Sequence, residues 1–463
     1  MSAEGLPLRS ARGRWVVLAA TLASAIAFLD GTVVNVALRP IALDLDATLA
    51  HLQWVVNAYM LTLASLILVG GSLGDRLGRR RIFLIGIGWF GVASVLCGLA
   101  TGIEQLIVAR GLQGIGGALL TPGSLALIQS LIAEEDRALA IGFWSAWSGV
   151  SGAVGPLLGG WLVETLTWRW VFFINVPVAA VVIAIGLLRV PESGGTARDG
   201  RFDVPGALLG AAALGGVTVA LIQGEWLPAA LGAVAAAAFL AVEARTRHPM
   251  LPLGIFADRT FSGANLVTFV VYGALGGVMF FLVLQLQVVA GYSPLQAGAA
   301  TIPFTVLLLL FSPSVGTLLG RTGPRLLMTL GPALGAVGVV LLSRVPAGAS
   351  YVTDVLPGIV VFGIGLTLLV TPLTATVLAA APGEHTGLAS GVNNAVARAA
   401  GLLAVAALPA LVGLTGEGSL APGVFGDGYL RAMWWCAGLM VLGAAAAAVL
   451  IPGRREAPSS SAV

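Results

Sequence analysis

Apolar runs of about twenty residues, broken by short clusters of charge, glycine and proline, recur along the chain from Trp15 to Leu450. About twenty such residues cross a bilayer core as a helix, and lipid admits only helices and closed barrels because every backbone polar group must be paired internally. Barrel strands alternate apolar and polar residues over about ten positions, and these runs do not alternate. The pattern predicts an all-α polytopic membrane protein with about fourteen transmembrane helices. They are expected over 15–37, 52–73, 82–100, 104–128, 138–162, 170–189, 204–222, 227–243, 261–289, 296–319, 326–343, 353–380, 387–414 and 430–451.

The connections between these runs set an orientation. Arg9, Arg12, Arg14, Arg76, Arg79, Arg80, Arg81, Arg137, Arg189, Arg198, Arg201, Arg245, Arg247, Arg259, Arg321, Arg325, Arg454 and Arg455 fall on one side of the alternation. The other side holds Arg39, Arg169, Arg344 and Arg431. By the positive-inside rule both termini are expected in the cytoplasm, with Trp15, Trp54, Trp161, Trp168, Trp170 and Trp226 at headgroup level near span ends. Ala23-Ser24-Ala25 has the small residues of a signal cleavage site, but the apolar run continues to Leu38, as in an uncleaved first span.

Composition agrees with this class and removes others. The chain is 58% hydrophobic and 10% charged, against roughly 45–50% and 25% in an average soluble domain. Its net charge of +3 is carried by loop arginines that topology explains, so no nucleic-acid partner is expected. Cys97 and Cys436 lie in apolar runs and read as small packing residues. His51, His248 and His385 have no metal-ligand spacing, and no G-x-x-x-x-G-K loop marks a nucleotide site.

Asp30 lies inside Phe28-Leu-Asp-Gly-Thr-Val-Val-Asn35-Val-Ala-Leu38. A carboxylate at the centre of a membrane helix costs about 2.5–3.5 kcal/mol on insertion scales, so it marks a functional position. Arg110 is the second charge deep in a run and needs a partner or a wet cavity; Gln113, three residues on, shares its helical face. If Arg110 meets Asp30, it either modulates the protonation of Asp30 or forms a structural buried pair. In the second half, Asp354, Glu384, Glu417 and Asp427 fall near span ends, and Arg398 is the charge inside a run. Asn35, Gln113, Gln285, Gln287, Ser390, Asn393, Asn394 and Arg398 are candidates to line a polar cavity, with Gln285 and Gln287 at opposite-leaning positions of the ninth span. A cavity with Asp30 as its one acid suits neutral, monocationic or zwitterionic apolar compounds better than dications.

Gly71-Ser-Leu-Gly-Asp75-Arg76-Leu-Gly78-Arg79-Arg80 recurs in outline as Gly316-Thr-Leu-Leu-Gly-Arg321-Thr-Gly323-Pro-Arg325, each after the second helix of a six-helix half. Duplicated halves are common in transporters. They divide the chain into 1–195, a linker with two extra helices at 196–254, and 255–463. The 71–81 run resembles the loop signature of the major facilitator superfamily, and Arg110-Gly-Leu-Gln113-Gly-Ile-Gly-Gly-Ala resembles the fourth-helix motif of its proton-coupled members. Gly149-Val-Ser-Gly152-Ala-Val-Gly155-Pro156-Leu-Leu-Gly159-Gly160 is similar to its antiporter motif. The Asp30 run, together with Trp168-Arg-Trp-Val-Phe-Phe-Ile-Asn175-Val-Pro177, resembles the fourteen-helix drug:proton antiporter branch, and Gly387 to Arg398 resembles its thirteenth-helix pattern.

The resemblance implies a major facilitator fold, two six-helix bundles plus two inserted central helices, in the bacterial cytoplasmic membrane. It implies export of an amphipathic small molecule by a monomer in exchange for protons, with Asp30 and Arg110 in proton coupling and the proton gradient in place of any cofactor. It also implies that Gly71, Asp75, Arg76, Gly78, Arg79 and Arg80 latch the cytoplasmic side, and that Gly149, Gly152, Gly155, Pro156, Gly159 and Gly160 seal or pivot. A plain topogenic loop and plain tight packing are the alternatives for these two motifs. A dedicated exporter of an endogenous metabolite or lipid, and a proton symporter for uptake, remain as rival readings. An intramembrane enzyme is not expected, since no paired catalytic groups occur at membrane depth.

Overall fold

The computed structural model describes residues 5–193, 203–246, 249, 251–381 and 386–453. Arg198, Arg201, Arg247, His248, Glu384, His385, Arg454 and Arg455 lie outside the described residues. The chain is helical almost throughout: α1 (Ala11–Asp44), α2 (Leu49–Leu77), α3 (Arg79–Gly98), α4 (Ile103–Leu131), α5 (Glu134–Thr165), α6 (Trp170–Phe173), α7 (Asn175–Arg189), α8 (Val204–Gln223) and α9 (Trp226–Arg245). There follow α10 (Arg259–Val288), α11 (Pro294–Ala300), α12 (Ile302–Thr322), α13 (Pro324–Leu342), α14 (Leu356–Ala379), α15 (Thr386–Leu411) and α16 (Pro422–Leu450). Two spans are broken, α6 from α7 at Ile174 and α11 from α12 at Thr301. Counted as spans, thirteen are long and apolar enough to cross a membrane. The remaining long helix, α5, dilutes its apolar residues with the glycines, serines and tryptophans of 142–160.

Helix starts follow local chemistry. The Ser10 hydroxyl accepts from the Gly13 amide at 3.0 Å, Thr48 and His51 form a capping box, and Asp258 and Ser293 cap α10 and α11. Gly78 and Gly323, aligned by the internal repeat, both take positive φ, 101° and 77°, at the junction of the second and third helix of each half. That backbone favours glycine. Several helices outrun their apolar stretches. The start of α16 reads as a loop (Gly423, Gly426, Asp427), yet Phe425 and Tyr429 are buried and the Tyr429 hydroxyl donates to Leu342 O at 2.7 Å. Packing extends the helix there where hydropathy alone stops.

Two six-helix bundles result. In the first, α2 and α3 pack on α4, and α1 packs on α5 and α7; in the second, α13 packs on α14 and α16, and α10 on α15 and α16. The inserted pair α8 and α9 pack on each other at the periphery, with α8 leaning on α2 and α15; 17% of each span is buried, against 67% for α10. Buried apolar residues form two clusters. The larger fuses the second bundle with the end of the first that lies away from the arginine-rich loops, through Val33, Val36, Leu38, Leu52 and Val55. The smaller, around Phe83, Phe90 and Leu127, belongs to the first bundle alone at its arginine-rich end. The bundles are therefore joined across one end.

Polar contacts make the same join. Gln53 donates across the bundles to Val405 O at 2.8 Å and Ala406 O at 3.0 Å, and Gln287 donates to Val36 O at 2.9 Å. Glu164 accepts from the Ser293 hydroxyl at 2.8 Å and the Leu295 amide at 3.3 Å. Trp168 is 4% exposed and donates to Asp44 at 2.9 Å, beside an Arg169–Asp44 ion pair of 2.8 Å. The carboxylate at the last residue of α1 thus satisfies its indole N–H.

Candidate functional site

Asp30 sits in the middle of α1 and is fully buried. Its Oδ2 accepts from Arg110 Nη1 at 2.6 Å, and its Oδ1 accepts from Gln113 Nε2 at 2.8 Å and Asn175 Nδ2 at 3.0 Å. Arg110 is 1% exposed; it also donates through Nη1 to Gln113 Oε1 at 2.6 Å and through Nε to the Val55 carbonyl at 3.1 Å. Its guanidinium lies 4.3 Å from the centre of the Tyr59 ring and 5.7 Å from that of Phe172. Ser94 completes the cage, accepting from Gln113 at 2.9 Å and from Asn175 at 3.3 Å. Four helices thus supply the polar side chains, α1, α3, α4 and α7, and α2 adds the Val55 carbonyl.

The local sequence explains the convergence. The three-residue spacing of Arg110 and Gln113 puts both on one face of α4, where the following glycines let neighbours close in. A side chain at Gly116 would meet the Phe90 backbone at 2.7 Å, and one at Gly114 would strike Tyr59 O and the Thr62 hydroxyl. The break between α6 and α7 places Asn175 at the first position of α7, turned inward. Removing one partner of such a buried pair leaves an uncompensated charge, typically about 3–5 kcal/mol. Ordered donors on every side make this cage rigid.

In this conformation several of the substrate-cavity candidates are engaged by the protein itself. Gln113 is fully buried inside the Asp30 cage. Gln285, 2% exposed, donates to Val345 O at 2.9 Å, and Gln287, 1% exposed, closes the join to Val36. In each case the amide meets a backbone carbonyl without a helical partner: Val345 lies past the end of α13, and the Val36 carbonyl faces Pro40, which has no N–H to offer it. Asn393 ties α15 to α10 through Thr268 at 2.7 Å and Asn265 at 3.2 Å. Asn35 is half-buried, Asn394 is exposed with its amide donating to Ser390 O at 3.2 Å, and the Arg398 Nε is buried without a hydrogen-bond partner.

In the loop motif Asp75 pairs with Arg79, its Oδ1 accepting from Nε at 2.9 Å and Nη2 at 2.8 Å. Arg80 donates to the carbonyls of Gly186 at 2.8 Å and Leu187 at 2.9 Å, so it clamps the end of α7. Glu192, which the sequence did not single out, accepts from the Arg80 amide at 3.0 Å. A side chain on Gly78 would meet that carboxylate at 2.8 Å. Gly71 lies within α2 beside Pro122 of α4. These contacts bind the first bundle to itself.

The glycine motif of α5 splits by face. A side chain at Gly155 would strike Thr32, and one at Gly159 would strike Val33, so this face lies against α1 beside Asp30. Gly160 faces the other bundle: a side chain there would sit 2.6 Å from both Leu295 Cα and Pro294 O, while Gly298 abuts the Pro156 carbonyl. Gly149 faces Leu309 of α12, and Gly152 meets nothing within 4 Å. One helix therefore links the Asp30 helix to the opposite bundle.

Sequence reading missed Ser94, Asn175 as an Asp30 ligand, Tyr59, Asn57 and Gln53. The signal was the one that exposed Asp30, a polar residue within an apolar run. Asn57 is fully buried with neither side-chain atom paired, and the Tyr59 hydroxyl is likewise unpaired.

Comparison with known proteins agrees with this architecture. The family model described as Major Facilitator Superfamily matches residues 20–405. The puromycin resistance protein pur8 of Streptomyces alboniger is 36% identical over 96% of this chain and 92% of its own length. The tetracenomycin C resistance and export protein of Streptomyces glaucescens is 33% identical over 88% and 77%, and the multidrug resistance protein Stp of Mycobacterium tuberculosis 36% over 80% and 70%. Among solved structures, a D-xylose-proton symporter superposes with a TM-score of 0.70 at 16% identity, covering 96% of this chain and 98% of its own. Its likeness is one of fold. With thirteen membrane-length apolar spans among the described residues, paired bundles and motif-bearing helices, the chain belongs to the major facilitator superfamily.

Proposed function

We propose that the protein is a proton-coupled exporter of amphipathic small molecules, drugs or antibiotics, across the bacterial cytoplasmic membrane. It works as a monomer, by alternating access between the two bundles, 1–195 and 255–463, with the proton gradient as its energy source and no cofactor. Both termini lie in the cytoplasm, so the joined end is the external one and the conformation described is closed to the outside. The observation that carries the reading is the caged carboxylate: Asp30 is fully buried on three donors from two other helices, and its proton cannot exchange without a movement of α1 or α4. Relatives named for resistance and export at 33–36% identity support outward transport.

In this mechanism Asp30 carries the proton, Arg110 holds the ionised form, and Gln113, Asn175 and Ser94 position both. Protonation removes the charge on which the cage is built, freeing α1 to slide on the Gly155 and Gly159 face of α5; the same helix transmits that movement to α11 through Gly160. The loop of Gly71, Asp75, Arg76, Gly78, Arg79 and Arg80 keeps the cytoplasmic end of the first bundle rigid as it rocks. A membrane potential contributes about 2.3 kcal/mol per charge per 100 mV, so one proton supplies a modest concentrative drive. Relatives named for a single antibiotic favour a dedicated exporter as the second reading.

Drug accumulation in an efflux-deficient host tests the proposal. Expression should lower the accumulation of amphipathic substrates, an uncoupler should abolish the effect, and accumulation unchanged by the protein across a broad panel would refute it.

A further inference from the structure

The charge pairing leaves one cation over. Arg110 neutralises Asp30 at 2.6 Å, whereas Arg398, deep in α15, makes no hydrogen bond or ion pair among the described residues, and its Nε is shut off from solvent. Ser390, Asn394 and Arg398 recur every fourth residue and so form a row along one face of α15. The row passes from exposed Asn394 to the half-buried Arg398, whose Nε is buried.

What faces Arg398 follows from register. α2 and α15 run antiparallel, with Gln53 bonded to Val405 and Ala406 and Leu68 lying against Gly391. That register sets Arg398 opposite the turn of α2 from Asn57 to Leu61. Asn57 lies one turn on from Gln53 and so shares its α15-facing side. Asn57 is fully buried, and neither of its side-chain polar atoms is paired. A half-buried cation opposite an unpaired amide costs free energy that an incoming anion would recover.

We propose that Arg398, with the Asn57 amide on the facing side of α2, is an anion-recognition site, and that the exported compound is an amphipathic acid whose oxyanion binds there. This rests on the export reading for the word exported; the site itself does not. It reverses the preference for neutral or cationic compounds drawn from Asp30 alone, because Asp30 is already spent on Arg110. Exchange of one proton inward for one monoanion outward would carry two charges, so the membrane potential alone would drive it.

The test uses two probes that differ by one group, 1-anilinonaphthalene-8-sulfonate and its neutral parent N-phenyl-1-naphthylamine. Their binding is measured to the full-length protein in nanodiscs, with empty nanodiscs subtracted. Wild type should bind the sulfonate at least tenfold more tightly than the parent. Arg398→Gln should erase that preference while leaving the parent within about twofold, and Arg398→Lys should restore part of it. No preference in wild type, or an equal loss for both probes in Arg398→Gln, overturns the site. Sulfonate binding that follows Arg398 without uncoupler-sensitive efflux would instead keep the site and overturn the export reading.

Discussion

Gly298→Ala places a methyl where α11 meets the Pro156 turn of α5. Its Cβ would press on the Pro156 carbonyl, 2.7 Å from the carbonyl carbon and 3.4 Å from Leu157 N. These atoms are backbone and cannot rotate away, so the closed end must part or strain. Overpacking of this kind costs about 1–3 kcal/mol. The gain in helix propensity, ~1 kcal/mol for Gly to Ala, applies to α11 whether or not the bundles are joined, and cancels. The cost falls on the closed conformation alone and lowers its population relative to the open one by roughly 5- to 150-fold. Spin labels at exposed Thr165 and Gln296, in a background with Cys97 and Cys436 replaced by alanine, report the separation across the join. Pulsed dipolar spectroscopy in nanodiscs should show a single short distance in the parent and a dominant longer one in Gly298→Ala. An unchanged short distance would refute the claim that α5 and α11 close this end by direct contact.

Two further outcomes follow from the geometry. Arg110→Ala should destabilise the protein by about 3–5 kcal/mol, as for other buried charges left alone, and adding Asp30→Asn should recover part of the loss; thermal unfolding in detergent measures both, and additive losses would contradict the pair. Gly78→Ala combines a φ of 101° with a clash on Glu192, which costs about 1–3 kcal/mol, whereas Gly71→Ala meets only the Pro122 side chain at 3.7 Å and should be near neutral in the same assay.

The spans, the charge inside the first of them and the motif order were legible because lipid imposes a strong, one-dimensional rule on the chain. Asp30 and Arg110 stood out for the same reason, as charges that lipid does not accept alone. What could not be read was direction within the helix bundle. Gln285 and Gln287 look alike in sequence, yet one ties off α13 and the other spans the bundles, a difference set by which carbonyls happen to end nearby. Gln113 shares the face of Arg110, as its spacing indicates, and serves the carboxylate cage in this conformation. Asn175 joins that cage because the sixth span breaks before it. Trp168 is buried within the protein because its indole finds a partner in Asp44.

Proton coupling at Asp30 is the centre of the account, and reconstituted Asp30→Asn tests it most directly. In proteoliposomes carrying a substrate identified by the accumulation screen, an imposed proton gradient should drive uphill transport by wild type and none by Asp30→Asn. Both should still exchange labelled for unlabelled substrate in the absence of a gradient, since asparagine keeps the shape and much of the hydrogen bonding of the carboxyl group. Gradient-driven accumulation by Asp30→Asn at the wild-type rate would contradict the account.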